Sequence, residues 1–365
     1  LQYAGLGMMP FALLVLSEAS GNSVLALGLA GLAFLLVGSG LHITQTAGLA
    51  LASDLASEAT RPRVVAFLYV MLLLGMVLSA LVFGSALAEF SQLRLIQVIQ
   101  SAAVVTLVLN VIALWKQEAR NPALTAAARP RRPFSEAWAS LMADRAASRL
   151  LLALGLGTAA FSMQDILLEP YGGEVLALNV AETTLLTALL AGGSLLAFVL
   201  ASRRLALGED PHRLAAFGAV VGVFAFAMVV FSAPLAMPGL FRLGTILIGV
   251  GGGFFAIGTL TAAMALAERS DSGLALGAWG AVQATAMGLA VGAGGALRDG
   301  FASLAEAGAL GSALNTPSVG YSIVYHLEIA LLFAALAAIG PLVRHARRGP
   351  PEPSGTRLGL AEFPG

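Results

Sequence analysis

The polar side chains in this chain that could do chemistry lie within long apolar stretches. His42, Gln45 and Thr46 share one such stretch, and Gly38 lies one helical turn earlier. At 100° per residue, positions 38, 42 and 45 fall on one helix face, so His42 and Gln45 point the same way. A neutral imidazole can ligate a metal through one ring nitrogen. His42 is therefore a candidate metal ligand, and the alternative is a core histidine that bonds to the carbonyl of a neighbouring helix.

A second polar group contains Gln164, Asp165 and Glu169, and Pro170 follows it. Asp165 and Glu169 are four residues apart, so on a helix they share a face and would repel each other if both were ionised. Asp165 is the deeper of the two and is a candidate substrate or proton site. Glu169 either shares that site or lies among lipid headgroups where the helix ends at Pro170.

His326 and Glu328 form a third group at the start of the last apolar stretch, beside Tyr321 and Tyr325. The two tyrosines have the position of aromatic residues at a membrane–water interface. Ionisable groups within lipid are costly, and they commonly mark binding sites or proton pathways. His326 and Glu328 are therefore candidate binding residues.

A charged group, Asp54, Arg61 and Arg63, lies in the connection between the second and third apolar stretches. One interpretation is a cytoplasmic cluster that latches helix ends together. A solvated loop without that role is the alternative.

Composition places these groups in a membrane protein. Hydrophobic residues are 58% of the chain and charged residues 11%, whereas soluble domains carry about 25% charged residues. A membrane-spanning helix needs roughly 20 apolar residues. The sequence predicts ten spans, at residues 1–16, 24–53, 63–88, 92–115, 150–168, 182–202, 213–233, 237–267, 274–298 and 322–343.

The basic residues indicate which side is cytoplasmic. Of the 20 lysine and arginine residues, all but Arg94, Arg242 and Arg298 fall in connections on one predicted side. Because basic residues accumulate on the cytoplasmic side, we expect both ends of the bundle to be cytoplasmic.

The order of the spans predicts two halves. Residues 1–115 form a first half of four spans, 116–147 a cytoplasmic linker with a surface helix, 148–345 a second half of six spans, and 346–365 a disordered cytoplasmic tail. A shift of 213 residues superimposes the first three spans on the seventh to ninth. Parallel repeats of six helices are the plan of major facilitator transporters. We therefore expect an all-α, major facilitator-like bundle in which the first two of twelve helices are missing.

Pairs of small residues within the spans predict close helix packing. They are Gly249 with Gly253, Gly288 with Gly292, and Gly75 with Ser79. The run at residues 251–253 (GGG) lacks the lysine of a phosphate loop, so packing is the better interpretation.

Signatures of enzymes are absent from the sequence. The chain has no cysteine, no phosphate-loop lysine, no HExxH motif and no serine nucleophile elbow. We expect neither enzymatic activity nor a nucleic-acid partner.

Four segments carry a resemblance to a known family. They are residues 40–54 (GLHITQTAGLALASD), 61–65 (RPRVV), 93–100 (LRLIQVIQ) and 163–176 (MQDILLEPYGGEVL). Together they resemble the PucC/LhaA family of photosynthetic bacteria, the bacteriochlorophyll-delivery branch of the major facilitator superfamily. The resemblance implies an assembly factor in the bacterial inner (intracytoplasmic) membrane that binds bacteriochlorophyll and delivers it to light-harvesting antenna polypeptides. It also implies contact with enzymes of bacteriochlorophyll synthesis, and it makes His42 a candidate ligand of the chlorin magnesium.

One departure keeps a second hypothesis open. The connection at residues 202–204 (SRR) lacks the Asp-Arg-x-Gly-Arg signature common in facilitator transporters. The alternative function is a proton-coupled secondary transporter of a small solute or a tetrapyrrole, because both functions need a polar site between helices.

Overall fold

The structure, a computed structural model, describes residues 1–18, 23–55, 61–115, 133–267 and 272–343, and within these ranges the regular secondary structure is all helical. The helices of the first half are α1 (Gln2–Glu18), α2 (Val24–Leu55), α3 (Arg61–Ala86) and α4 (Gln92–Leu114). A short helix, α5 (Phe134–Ala143), precedes the second half. The second half contains α6 (Arg145–Ser162), α7 (Leu168–Leu176), α8 (Val180–Ala206), α9 (Pro211–Ser232), α10 (Pro238–Ala267), α11 (Ser272–Glu306) and α12 (Val319–Ile339).

Each of the ten predicted spans overlaps one long helix. Eight helices in the described part are long and apolar enough to cross a membrane, namely α2, α4, α6 and α8 to α12. The remaining two predicted spans correspond to α1, which has 17 residues, and to α3, whose described apolar segment, Val70–Ala86, is shorter than the other eight. The chain is a multi-pass membrane protein with an all-α bundle, as predicted.

Several helices begin at capping side chains that the sequence supplies. The side chains of Asp144 and Asp210 accept hydrogen bonds from the first turns of α6 and α9. Asn179 and Glu182 form a capping box at the start of α8, with both reciprocal bonds at 3.0 Å. Because these bonds satisfy backbone N–H groups that lack an intrahelical partner, they fix where each helix enters the bundle.

The internal repeat is visible in the helix bounds. Moved by 213 residues, α1, α2 and α3 fall on α9, α10 and α11. The packing repeats as well: α1 contacts α2 and α4 as α9 contacts α10 and α12. The fourth pair, α4 and α12, does not superimpose under the same shift, because the connection between α11 and α12 is longer than that between α3 and α4.

The second half adds α6, α7 and α8 to that repeated unit. Helix α6 packs against both α11 and α12, while α8 packs against α10 and also against α3 of the first half. Between α3 and α4, the repeat equivalents of α11 and α12, lies a groove of about 740 Å³. The expectation of two further helices before α1 stays a prediction.

Glycine packing is confirmed for one predicted pair. A Cβ on Gly249 would lie 2.0 Å from the carbonyl oxygen of Leu190, and one on Gly253 would lie 2.8 Å from Cβ of Ala197. These two glycines therefore let α10 pack against α8. Gly251 likewise lies against the backbone of Gly218 and Gly222 in α9, so the GGG run serves packing.

The prediction for the other two pairs was wrong. A Cβ on Gly75, Gly288 or Gly292 would meet nothing within 4 Å. These glycines lie on open faces of α3 and α11, because spacing alone does not say which face of a helix meets a neighbour.

Helix α5 lies where a surface helix in the linker was predicted, and its place along the membrane surface stays a prediction. Leu141 is buried and Trp138 and Met142 pack against the same hydrophobic cluster, so α5 lies on the second half. The rest of that linker, at 116–132, and the tail after residue 343 lie outside the described residues.

Candidate functional site

The main polar site lies where α6 breaks near one end of the bundle. The α-helix stops at Ser162, and a 3₁₀ turn (Met163–Ile166) leads into α7 at Leu168. Asp165 therefore lies in the turn while Glu169 lies in the first turn of α7. The prediction that both share one face of a continuous helix was wrong, and Pro170 lies inside α7 and does not end a helix. Short 3₁₀ turns are common at helix ends and as connectors between helices.

This turn borders a cleft of about 170 Å³. Its described walls come from α6, the 3₁₀ turn, α8, α10 and α11. Most of the lining is apolar, and the polar lining residues are Thr158, Ser162, Gln164, Asp165, Ser194 and Gln283. A small apolar cleft with a few polar groups can hold a small solute or ordered water.

Gln164 and Asp165 are the most polar pair in the cleft. Gln164 is 1% exposed, and its side-chain nitrogen donates to Oδ1 of Asp165 at 2.6 Å and to the carbonyl of Phe161 at 3.2 Å. Its side-chain oxygen is buried and finds no partner in the described part of the protein. Asp165 itself is exposed to the cleft. The site thus presents a carboxylate whose orientation is fixed by a buried amide.

Glu328 is the more unusual acid. Its side chain is 0% exposed, and neither carboxyl oxygen has a hydrogen-bond partner among the described residues. Helix α12 contacts the 3₁₀ turn at this level, so Glu328 lies behind the cleft and close enough to Asp165 for the two charges to interact. A buried charge without a partner is expensive, so this position requires a proton, a water molecule or an ion.

Glu169 has a simpler role in the structure. Its side chain is exposed and accepts a hydrogen bond of 2.9 Å from the hydroxyl of Thr187 in α8. This contact links α7 to α8 outside the cleft. The structure thus separates Glu169 from Gln164 and Asp165.

Three tyrosines fill the space behind the 3₁₀ turn. The rings of Tyr321 and Tyr325 pack on Tyr171 at 5.3 and 5.5 Å between centroids. Tyr321 and Tyr325 are 0% exposed, so the prediction that they lie at a membrane interface was wrong. Their spacing with Glu328, at i, i+4 and i+7, was the signal for one buried face. Burial raises the pKa of Tyr171, so its hydroxyl stays protonated and donates to the carbonyl of Val229 at 3.2 Å.

A polar cluster that the sequence did not predict joins α7, α11 and α12. Arg298 pairs with Glu174, and the hydroxyl of Tyr321 donates to Glu174 at 2.7 Å. The Arg298 guanidinium also lies 4.6 Å from the centre of the Tyr321 ring. The available signal was that Arg298 is one of only three arginines on the predicted outer side. We name Arg298, Glu174 and Tyr321 the outer cluster.

The two candidate histidines lie on open faces. His42 is exposed on α2 and His326 is exposed on α12, whereas Gln45 is partly buried. The described lining of the cleft includes neither histidine. The side chains of Thr46, Asp54, Arg61 and Arg63 lie outside the described residues, so their predicted roles stay predictions.

A metal site made of protein ligands alone is not present in the described part of the chain. No three His, Asp or Glu side chains there approach closely enough to hold an ion. A metal carried by a macrocycle needs only one axial ligand from the protein, so a single histidine suffices.

Comparison with known proteins identifies the family of this chain. The family model described as PUCC protein matches residues 1–347. A protein of the puhA-bchM intergenic region of Rhodobacter capsulatus is 53% identical, covering 100% of this chain and 77% of that protein. Protein PucC of Rhodovulum sulfidophilum is 51% identical, with coverage of 82% and 67%. The bacteriochlorophyll synthase 44.5 kDa chain of Rhodobacter capsulatus is 29% identical, with coverage of 89% and 75%.

The fold has a counterpart among solved structures. A bacterial homologue of the iron transporter ferroportin, in its outward-facing state, superposes with a TM-score of 0.51. The likeness covers 93% of this chain and 80% of the other at 19% identity, so it concerns the fold alone. Helix order, internal repeat and family match lead to one assignment: the chain belongs to the PUCC protein family and has a major facilitator-like fold.

Proposed function

We propose that this protein is a non-enzymatic assembly factor for light-harvesting complexes. It binds bacteriochlorophyll in the bacterial inner (intracytoplasmic) membrane and presents it to antenna polypeptides, with both ends of the bundle in the cytoplasm. Family membership supports this function, and a relative named for bacteriochlorophyll synthase supports the choice of pigment. Contact with enzymes of bacteriochlorophyll synthesis belongs to the same proposal.

The observation that carries the proposal is the position of the histidines. His42 and His326 both lie on exposed faces of helices that are apolar enough to span a membrane. A histidine that faces lipid without a role is costly, and such residues are usually functional. Imidazole nitrogen is a suitable axial ligand for a tetrapyrrole metal. The surface of the bundle therefore carries imidazole groups suited to bind the magnesium of a chlorin.

The size of the cleft favours the surface over the interior. Pockets for drug-sized molecules measure roughly 300–1,000 Å³, and a bacteriochlorophyll is larger than such molecules. The cleft at Asp165 measures about 170 Å³. A macrocycle does not fit in this cleft, which favours a pigment site elsewhere, on the surface of the bundle.

Purification from a phototrophic host tests the proposal. The tagged protein should carry bacteriochlorophyll that its near-infrared absorption reports, and its deletion should lower the amount of assembled antenna. An unrelated tagged membrane protein from the same host controls for pigment carried along by detergent. A colourless protein together with normal antenna in the deletion strain would contradict the proposal.

A proton-coupled transporter remains the second candidate, and one specific observation favours it. Asp165 lines the cleft, and the unpartnered carboxyl of Glu328 lies directly behind it. Paired acids in a membrane domain are the usual parts of a proton relay. Solute uptake into vesicles that responds to a pH gradient, together with absence of bound pigment, would favour this candidate.

A further inference from the structure

One face of α12 is open from His326 to the end of the helix. The exposed positions are His326, Ala330, Phe333, Ala334 and Ala337, which follow each other at helical spacing. The opposite faces of α12 pack against α6, α9 and α11. His326 lies seven residues after the start of the helix, which is roughly 10 Å along its axis. The imidazole is therefore within the span and on its outer surface.

A hydrogen bond determines which ring nitrogen of His326 is available. Nδ1 lies 2.6 Å from the carbonyl oxygen of Ser322, one turn earlier in α12. A carbonyl oxygen can only accept, so Nδ1 carries the hydrogen and donates. In the neutral ring Nε2 then has a free lone pair. Metal-ligating histidines usually have this arrangement, because the bond from the other nitrogen fixes both tautomer and ring orientation.

The surface next to His326 suits a flat ligand. Ala330 follows one turn later on the same face, and its methyl group protrudes little, so a flat ring can lie close to the helix. Phe333 lies one further turn along and is 57% exposed. An aromatic ring at that place can contact the edge or face of a macrocycle. The face thus combines a nitrogen ligand, a small neighbour and an aromatic contact.

We propose that His326 is the axial ligand that binds the magnesium of a tetrapyrrole through Nε2, at the exposed face of α12. The ligand is a magnesium tetrapyrrole whose ring lies over Ala330 and Phe333. This inference rests on the proposed function and names the site at which that function operates. It assigns the metal to His326 and not to His42, the ligand that the sequence alone favoured.

The comparison with the other described histidines explains the choice. His212 also has its Nδ1 held, at 3.0 Å from Asp210, but it lies in the first turn of α9 and is partly buried. His42 is exposed within a span, but the described part of the structure gives its ring no orienting bond. Of the described histidines, His326 alone combines an oriented ring with an open position inside a span.

Two probes separate metal ligation from general pigment binding. The purified full chain is titrated with bacteriochlorophyll and, separately, with bacteriopheophytin, the same macrocycle without magnesium. Three variants are compared with the wild type: His326→Phe, His212→Phe as the histidine control in the first turn of α9, and Ala330→Leu, which keeps the imidazole and raises the surface beside it. Pigment bound per protein is measured, and resonance Raman spectra report the coordination number of magnesium.

We expect His326→Phe to weaken bacteriochlorophyll binding by at least about tenfold, since even an outer partner of a metal ligand is worth 10–100-fold. The Raman signature of the axial ligand should disappear, and Ala330→Leu should also weaken binding. Bacteriopheophytin should bind the wild type weakly and respond little to His326→Phe, and His212→Phe should bind bacteriochlorophyll normally.

Three results would overturn the inference. Unchanged bacteriochlorophyll binding by His326→Phe would exclude His326 as the ligand while leaving the proposed function intact. An equal loss of both pigments would indicate a packing role. A wild type that binds neither pigment would instead remove the proposed function itself. Thermal melting of each variant identifies loss of fold, and in that case His326→Gln, which can still bond Ser322, replaces His326→Phe.

Discussion

The side-chain nitrogen of Gln164 lies 2.6 Å from Oδ1 of Asp165, at the break between α6 and α7. The amide is buried and the carboxylate opens to the cleft, so one residue orients the other. This arrangement keeps an acid at a fixed place in an apolar wall. A proton-coupled transporter needs the acid of Asp165, whereas a pigment carrier does not. A substitution of Asp165 therefore separates the two candidate functions.

Asp165→Asn should separate the two functions. Asparagine keeps the shape and the bond to Gln164 but removes the titratable proton. A proton-coupled transporter should lose at least about 90% of its uptake, since such relays depend on the acid. A pigment carrier should keep its bound bacteriochlorophyll within about twofold. Uptake and pigment content are measured in one phototrophic strain, and Thr158→Ala, another change in the cleft wall, is the control.

Glu328→Gln should not destabilise the protein. Both oxygens of Glu328 lack partners in the described structure, so a charge there is disfavoured, and glutamine has nearly the same shape without one. We expect the thermal midpoint in detergent to stay the same or to rise. Glu328→Ala is the matched comparison and should lower it, because it leaves a cavity behind the 3₁₀ turn. A large fall for Glu328→Gln alone would mean that the carboxyl has a specific ionic partner.

Arg298→Ala should loosen the end of the bundle at the outer cluster. Arg298 in α11 contacts Glu174 in α7 and Tyr321 in α12, so this cluster connects three helices. Glu174 is 51% exposed, so solvent screens the ion pair and the expected loss is about 1 kcal/mol. The measurement is hydrogen exchange of α7, which should speed up relative to α10. Arg94→Ala is the control, because its partner Glu89 is 89% exposed and lies outside the second half.

The sequence predicted the helices and the repeat well, because apolar length and span order leave few alternatives in a bilayer. It also identified Asp165 and Glu328 as candidate site residues within apolar stretches. It missed the helix break at Ser162, since residues 163–169 continue an apolar helical pattern until Pro170. It missed the contact of Arg298 with Glu174 because the two residues are far apart in the chain. Contacts between distant helices are set by three-dimensional packing, which spacing does not record.

Glycine positions show the same limit. Gly249 and Gly288 both belong to small-residue pairs, but only Gly249 faces another helix closely. Lipid-facing and helix-facing glycines have the same spacing, so one sequence rule predicted both. What distinguishes them is the neighbouring backbone, here the carbonyl of Leu190 at 2.0 Å from a Cβ placed on Gly249.

Gly249→Ala should therefore be much more damaging than Gly288→Ala. A methyl group on Gly249 collides with the backbone of α8, which cannot move away as a side chain can. We expect a loss of about 1–3 kcal/mol from overpacking. Gly288→Ala meets open space and should be neutral. Thermal melting and yield of the two variants in the same membrane preparation check the difference, and equal effects would contradict the α8–α10 contact.

The absence of cysteine from the sequence makes the orientation directly measurable. Leu207 and Leu235 are 88% and 56% exposed and lie beyond opposite ends of α9. Arginines cluster near Leu207, so the positive-inside rule places Leu207 in the cytoplasm and Leu235 outside. In intact spheroplasts a membrane-impermeant maleimide should label Leu235→Cys and not Leu207→Cys, and inverted vesicles should give the opposite result. The wild type, with no thiol, is the blank, and reversed labelling of the two variants would mean that the bundle has the opposite orientation.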